Sequence, residues 1–183
     1  MALKKAGLPL ERLAPSIAYN KSHFNLSEDA FVYFCPQSVF KMHPLFDTVF
    51  RDILLANPEG HVVITGGRRP SWTDTYMTRL RLALGDRAMK RLHLIDRVSA
   101  EKFLALLKIA DVILHPFPFD GSRTSADGLI AGVPVLTMPT GNGSPLSARL
   151  TLSRTTIFAD INLNSYLPQS ISGAAWAPPF CVP

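Results

Sequence analysis

The chain reads as an α/β fold built on a parallel sheet of about five strands. Three observations predict it. Short, continuous apolar runs recur along the sequence, as expected of strands covered on both faces. Apolar residues at helical spacing fill the stretches between those runs. Pro, Gly, Asn and Ser punctuate the junctions. Strands alternating with helices imply right-handed crossovers, so the fold class is a Rossmann-like, doubly wound sheet in the order 3-2-1-4-5.

Residues 1–29 show no clean period and read as a lead-in carrying at most one short helix. Residues 31–35 (FVYFC) form the first strand. Pro44 then stands at a first helical position, and Leu45, Phe46, Val49, Phe50, Ile53 and Leu54 repeat at helical spacing. The sequence Asn57-Pro58-Glu59-Gly60 stops that helix. Residues 61–65 are the second strand, closed by Gly66-Gly67. Ser71 is expected to cap a second helix, with Asp74 as its capping-box partner, and that helix ends near Leu84, before Gly85. Residues 91–95 are the third strand, and Ser99 caps a third helix. Residues 112–115, 124–131 and 133–138 supply strand four, helix four and strand five. The regular domain is expected over 30–153, followed by a poorly ordered tail at 154–183, where Pro and Ser rise and periodicity fades.

Strand order reverses between strands one and four, and ligands of such sheets sit outside the carboxyl ends of the strands at that point. The loops there are 36–43 and 116–123. The second leads through Gly121, Ser122 and Arg123 into Thr124 and Ser125 at a helix start. Unpaired backbone N–H groups and the positive end of the helix dipole favour a phosphate or pyrophosphate there. Composition and topology therefore select the same loop.

The 183 residues suit one domain, and an apolar content of 47% supports a core. No apolar run approaches the roughly 18 residues of a membrane span, and the start lacks the apolar stretch of a signal peptide. Cys35 and Cys181 are the two cysteines, and Cys35 lies in a strand, which suits a reducing, cytoplasmic or nuclear compartment. The net charge of +5 fits a solvated surface or an anionic small ligand. Specific nucleic-acid binding is not expected, because no zinc-finger, RNP or basic-zipper pattern is present.

Three blocks carry a family resemblance: CPQSVFKMHP (35–44), ADVILHPFPFDGSRTSADGLIAGVPVLTMP (110–139) and SAR (147–149). In order and spacing they resemble the C-terminal, donor-binding half of the protein O-GlcNAc transferases, which are GT-B glycosyltransferases with two facing Rossmann-like domains. The resemblance covers about residues 30–153 and implies a UDP-sugar donor, usually UDP-GlcNAc, with inverting transfer to Ser or Thr hydroxyls of a protein acceptor. It implies that Lys41 contacts the donor diphosphate, as a point charge stabilising the leaving UDP. Lys41 otherwise reads as a surface lysine. Gln37 resembles a family glutamine, although its spacing to Lys41 is longer by one residue; a turn-stabilising amide is the alternative. Ser122, Arg123 and Thr124 stand where the family commonly has His-Thr-Thr, and would bind phosphate or cap the helix. Asp127 matches a carboxylate that bonds the ribose hydroxyls, or else complements the helix dipole. Ala100 and Phe103 fall where family residues approach the uracil and ribose, and Phe103 reads equally as core. Arg149 matches the arginine of the last block.

No D-x-D pair appears, and His43, His61, His93 and His115 do not space as metal ligands, so no metal cofactor is expected. His115 either lines the cleft or is a satisfied strand-end histidine. The family's N-terminal half is missing from the chain, which points to a fragment whose acceptor site comes from another domain or chain. A non-catalytic nucleotide-sugar-binding or scaffold protein, and a different GT-B glycosyltransferase, are the other two readings.

Overall fold

The computed structural model describes residues 19–116 and 123–136. Its elements are β1 (Phe31–Cys35), α1 (Pro44–Ala56), β2 (Gly60–Thr65), α2 (Pro70–Met89), β3 (Leu92–Ile95), α3 (Ala100–Ile109), β4 (Val112–Leu114), α4 (Arg123–Ile130) and β5 (Val135–Leu136). Two 3-10 turns, Lys21–Phe24 and Val39–Lys41, flank β1. The five strands form one sheet in the order β3-β2-β1-β4-β5. All four pairings are parallel, with Phe34 opposite both Val63 and Ile113. The predicted Rossmann-like topology is therefore observed.

Alternate residues of each strand feed two cores. Tyr33, Cys35, Val62, Ile64 and Leu114 pack with Phe46, Phe50 and Ile53 of α1 and with Tyr76, Leu80 and Leu84 of α2. Val32, Phe34, Val63, Ile113 and Val135 pack on the other face with Ala105, Leu106 and Leu107 of α3. Burial on both faces explains why the strands read as unbroken apolar runs. Phe24 and Leu26 join the second core, so this part of the lead-in packs as part of the domain. Lys21 fastens it by donating to the Ala30 carbonyl at 2.7 Å.

Local signals mostly hold. Pro44 opens α1 and the His43 ring accepts from Leu45 N at 3.2 Å. The Ser99 hydroxyl accepts from Lys102 N at the start of α3. Arg91 donates to the carbonyls of Leu54, Asn57 and Gly60, satisfying the C-terminal end of α1 and the turn after it.

Two expectations need correction. Ser71 does not cap α2: the cap position is Arg69, and Pro70 occupies the first turn, where its missing N–H costs nothing. Helix α2 also resumes after Gly85, whose φ of 72° and ψ of 168° break it before a last turn to Met89. The expected end at Leu84 is thus a kink, made possible by a residue without a Cβ. The first 18 residues, the end of the expected fifth strand, Cys181 and the 154–183 tail lie outside the described residues.

Candidate functional site

All five strands run the same way, so their carboxyl ends and the following loops share one edge of the sheet. A cleft of about 520 Å³ opens there. On its α1/α2 side stand Ser38, Phe40, Arg68 and Trp72; Thr65, Gly66 and Gly67 end β2 beneath. On its α3/α4 side stand Arg97, Ala100, Phe103, Arg123, Thr124 and Asp127. A carboxylate and three arginines thus share a partly apolar trench, the composition of a site for an anionic, ring-bearing ligand.

The two switch-point loops are bonded to each other. Buried Gln37, just after β1, donates from Nε2 to Thr124 Oγ1 at 2.6 Å. Its own carbonyl accepts from Thr65 Oγ1 at 3.3 Å. Gln37 therefore acts as the loop-fastening amide, and it holds the first turn of α4 against β1. Behind the same loop, buried Asp47 of α1 accepts from Arg79 Nε at 2.7 Å and from Arg79 Nη2 at 3.1 Å. Arg79 Nη2 also donates to the Met42 carbonyl at 2.7 Å, so helix α2 grips the end of the turn that carries Lys41. Burial pushes the Asp47 carboxyl above its ordinary range, and the bond and charge of Arg79 oppose that rise.

Asp127 lies one helical turn beyond Arg123, whose Nε is 4.0 Å from its carboxylate. Partial burial raises the Asp127 carboxyl, and the charge of Arg123 pulls it back. The Phe103 ring meets Phe34 of the second core at 6.0 Å, and it also lines the cleft. His115 is the satisfied strand-end case, buried and within 3.2 Å of the Ser125 hydroxyl. Cys35 is buried in β1, and burial holds its thiol far above its ordinary range.

The structure thus brings Gln37, Arg123, Thr124 and Asp127 together, with Ala100 and Phe103 on the same side. Lys41 ends the Val39–Lys41 turn, one residue after cleft-lining Phe40, and does not itself line the cleft. Ser122 and Arg149 lie outside the described residues. Sequence reasoning missed Phe40, Arg68, Trp72 and Arg97 as cleft residues. The available signal was the parallel sheet itself, which sends the loops after β2 and β3 to the edge already chosen for β1 and β4. Among the described residues, no three His, Cys, Asp or Glu side chains gather to hold a metal ion, and no helix is long and apolar enough to cross a membrane.

No protein-family model and no curated protein matches the chain. Among solved structures, an O-GlcNAc transferase mutant from Thermobaculum terrenum matches with a TM-score of 0.60 and 23% identity, covering 75% of this chain and 26% of that one. A structure of accessory secretory proteins 1, 2 and 3 from Streptococcus pneumoniae matches with a TM-score of 0.51 and 12% identity, covering 79% of this chain and 30% of that one. The chain therefore spans between a quarter and a third of these two solved chains. Over most of its length, the chain is similar in fold to one part of an O-GlcNAc transferase.

Proposed function

We propose that this domain binds the donor of a glycosyltransferase, a UDP-sugar such as UDP-GlcNAc, for inverting transfer to Ser or Thr hydroxyls of a protein. The carrying observation is the cleft at the carboxyl edge of the sheet, which Arg123, Thr124 and Asp127 of α4 line together with Arg68 and Arg97. The fold likeness to an O-GlcNAc transferase supports the same reading.

In this reading the diphosphate lies at the first turn of α4, against Ser122, Arg123 and Thr124. Backbone N–H groups and the helix dipole favour it there. Asp127, one turn along α4, accepts from the ribose hydroxyls, and Ala100 and Phe103 flank the base. Lys41 takes up charge on the leaving UDP as the glycosidic bond breaks. Arg68, Arg97, Arg123 and Lys41 supply positive charge, so the reading calls for no metal ion. The acceptor hydroxyl and the base that deprotonates it belong to another domain or chain, because transfer needs donor and acceptor held in line.

Calorimetric titration of the full chain with UDP and UDP-GlcNAc tests the reading. Saturable binding at one site is expected. Lys41→Ala and Asp127→Ala should each weaken it about tenfold, the loss of one charge-assisted contact. A chain that melts cooperatively yet binds neither ligand would refute the donor-site reading. Unchanged affinity in both variants would refute the residue roles.

A further inference from the structure

Burying a polar side chain costs free energy unless it is hydrogen-bonded, so the places where a fold buries one are informative. Among the described residues, the buried polar and charged side chains are Gln37, Asp47, Thr73, His115 and Ser125. Gln37 and His115 follow β1 and β4, and Asp47, Thr73 and Ser125 lie in the first turns of α1, α2 and α4. All of them therefore belong to the carboxyl edge of the sheet, where the cleft opens. Asp47 accepts from Arg79, and Thr73 Oγ1 accepts from Gly67 N at 2.9 Å. The other three converge on one turn, the start of α4.

Thr124 accepts from Gln37 Nε2 at 2.6 Å, and the next residue, Ser125, places its Oγ 3.2 Å from His115 Nε2. Gln37 comes from the end of β1 and His115 from the end of β4, which are neighbours in the sheet. Successive helical residues point about 100° apart around the axis, so two such bonds fix the roll of α4 as well as its height. A further point of contact is Gly128, three residues beyond Ser125, which approaches Ile113 of β4 closely. Ile113 and His115 are themselves two residues apart, the spacing of one sheet face. His115 is anchored in turn, because its backbone N donates to the Leu136 carbonyl of β5 at 2.9 Å. A buried imidazole has only two side-chain torsions and holds its partner at a fixed reach.

We propose that His115 is a positioning residue for the anionic ligand of the cleft, acting through Ser125 to hold Arg123 and Thr124 in place. This assignment rests on the donor-site reading above and names what sets the geometry of that site. Arg123 and Thr124, which precede Ser125 in the same turn, both line the cleft, whereas His115 and Ser125 are buried and do not. His115 therefore acts on the ligand only through α4. A well-packed apolar pair would hold the helix to the sheet without the desolvation that a buried imidazole and hydroxyl bring. What a hydrogen bond adds is placement. It weakens steeply as its angle opens, whereas apolar contact is non-directional and tolerates sliding. Bonds to a phosphate are directional too, and a shift of about 1 Å in the groups that make them loosens the whole site.

The test is calorimetric titration of the full chain with UDP, below the melting range of each protein, on the wild type, Ser125→Ala, His115→Leu, the double variant and His115→Gln. Each of the first two variants should weaken UDP binding about fivefold to tenfold, the scale of one hydrogen bond's net contribution. The double variant should lose little more than either, because both changes remove the same bond. His115→Gln, whose amide carries a polar atom to the reach of Nε2, should recover most of the affinity. Ser125→Ala removes a single oxygen and carries the test by itself if His115→Leu does not fold. A lower melting temperature with unchanged UDP affinity would make the bond purely structural and refute the assignment. A double variant whose loss is the product of the two single losses, or a glutamine no better than leucine, would refute it as well. A folded wild type that binds no UDP overturns the donor-site reading and this assignment with it; UDP binding by the wild type and equally by the variants overturns this assignment alone.

Discussion

Helix α4 sits close enough to the sheet that one methyl group should change the sign of a mutation. Gly128 lies inside α4, and a Cβ built there falls far inside contact distance of Ile113 Cδ1 of β4. Ile113 is 1% exposed, so its δ-methyl can move only into a filled core. Such overpacking costs about 1–3 kcal/mol. Replacing glycine by alanine inside a helix gains about 1 kcal/mol. Gly128→Ala should therefore destabilise the wild type by about 1 kcal/mol. Ile113→Val deletes the offending methyl and alone costs about 0.5–1.5 kcal/mol. In that background the nearest remaining atoms, Ile113 Cγ1 and Val135 Cγ2, are each 3.6 Å from the new Cβ, an ordinary contact. Gly128→Ala should then stabilise, by up to about 1 kcal/mol. Urea unfolding followed by circular dichroism on the four proteins of this cycle reads the effect as midpoints at constant slope. If Gly128→Ala has the same effect in both backgrounds, or stabilises the wild type, then the close approach does not seat α4. The cycle also bears on the site, because the first turn of α4 carries Arg123 and Thr124.

Removing Arg79 leaves a carboxylate at Asp47, 2% exposed, without its partner, and frees the Met42 carbonyl. Arg79→Ala should cost about 2–3 kcal/mol in urea unfolding, below the range for fully buried pairs because the Arg79 side chain is 36% exposed. Gln37→Leu and Thr124→Val should each cost about 1–2 kcal/mol, and the double variant clearly less than their sum, since both remove one 2.6 Å bond. His61 Nδ1 and His93 Nε2 are 2.8 Å apart on β2 and β3. Burial is the main cause that lowers both rings, joined by Arg91 at His61 and by His61 at His93. The folded state then binds fewer protons than the unfolded chain, so their stabilisation is present above about pH 6.5 and is lost as pH falls through the folded values. The melting temperature should drop between about pH 7.5 and 5.5, and His93→Gln should flatten that dependence.

Much of the architecture was legible because its causes are local. The runs FVYFC and HVVIT are apolar without alternation, and only a sheet covered on both faces asks for that. Pro44, Ser99 and the Asn57–Gly60 stop act on their own turns, so their effect can be read from neighbours in the chain. Ser71 misled because two start signals compete within two residues, and Pro70 settles the first turn through its fixed φ. Given parallel strands and right-handed crossovers, the order of the sheet and the edge that holds the site also follow.

Tertiary structure decided which side chains meet at that edge. Gln37 reaches Thr124 across 87 residues of sequence, and Arg79 reaches Asp47 across 32. Phe40, on the turn after β1, and Trp72, in the first turn of α2, meet because Gly67 lets the loop after β2 lie on that turn. Periodicity tells a residue which face it occupies, but carries no information about which distant residue faces it. The sequence by itself determined the sheet, its winding and its ligand edge, because apolar period and chain punctuation are local and the crossover rule is general. The internal bonds that hold that edge, and the aromatic wall beside it, are long-range contacts that exist only once the layers have packed.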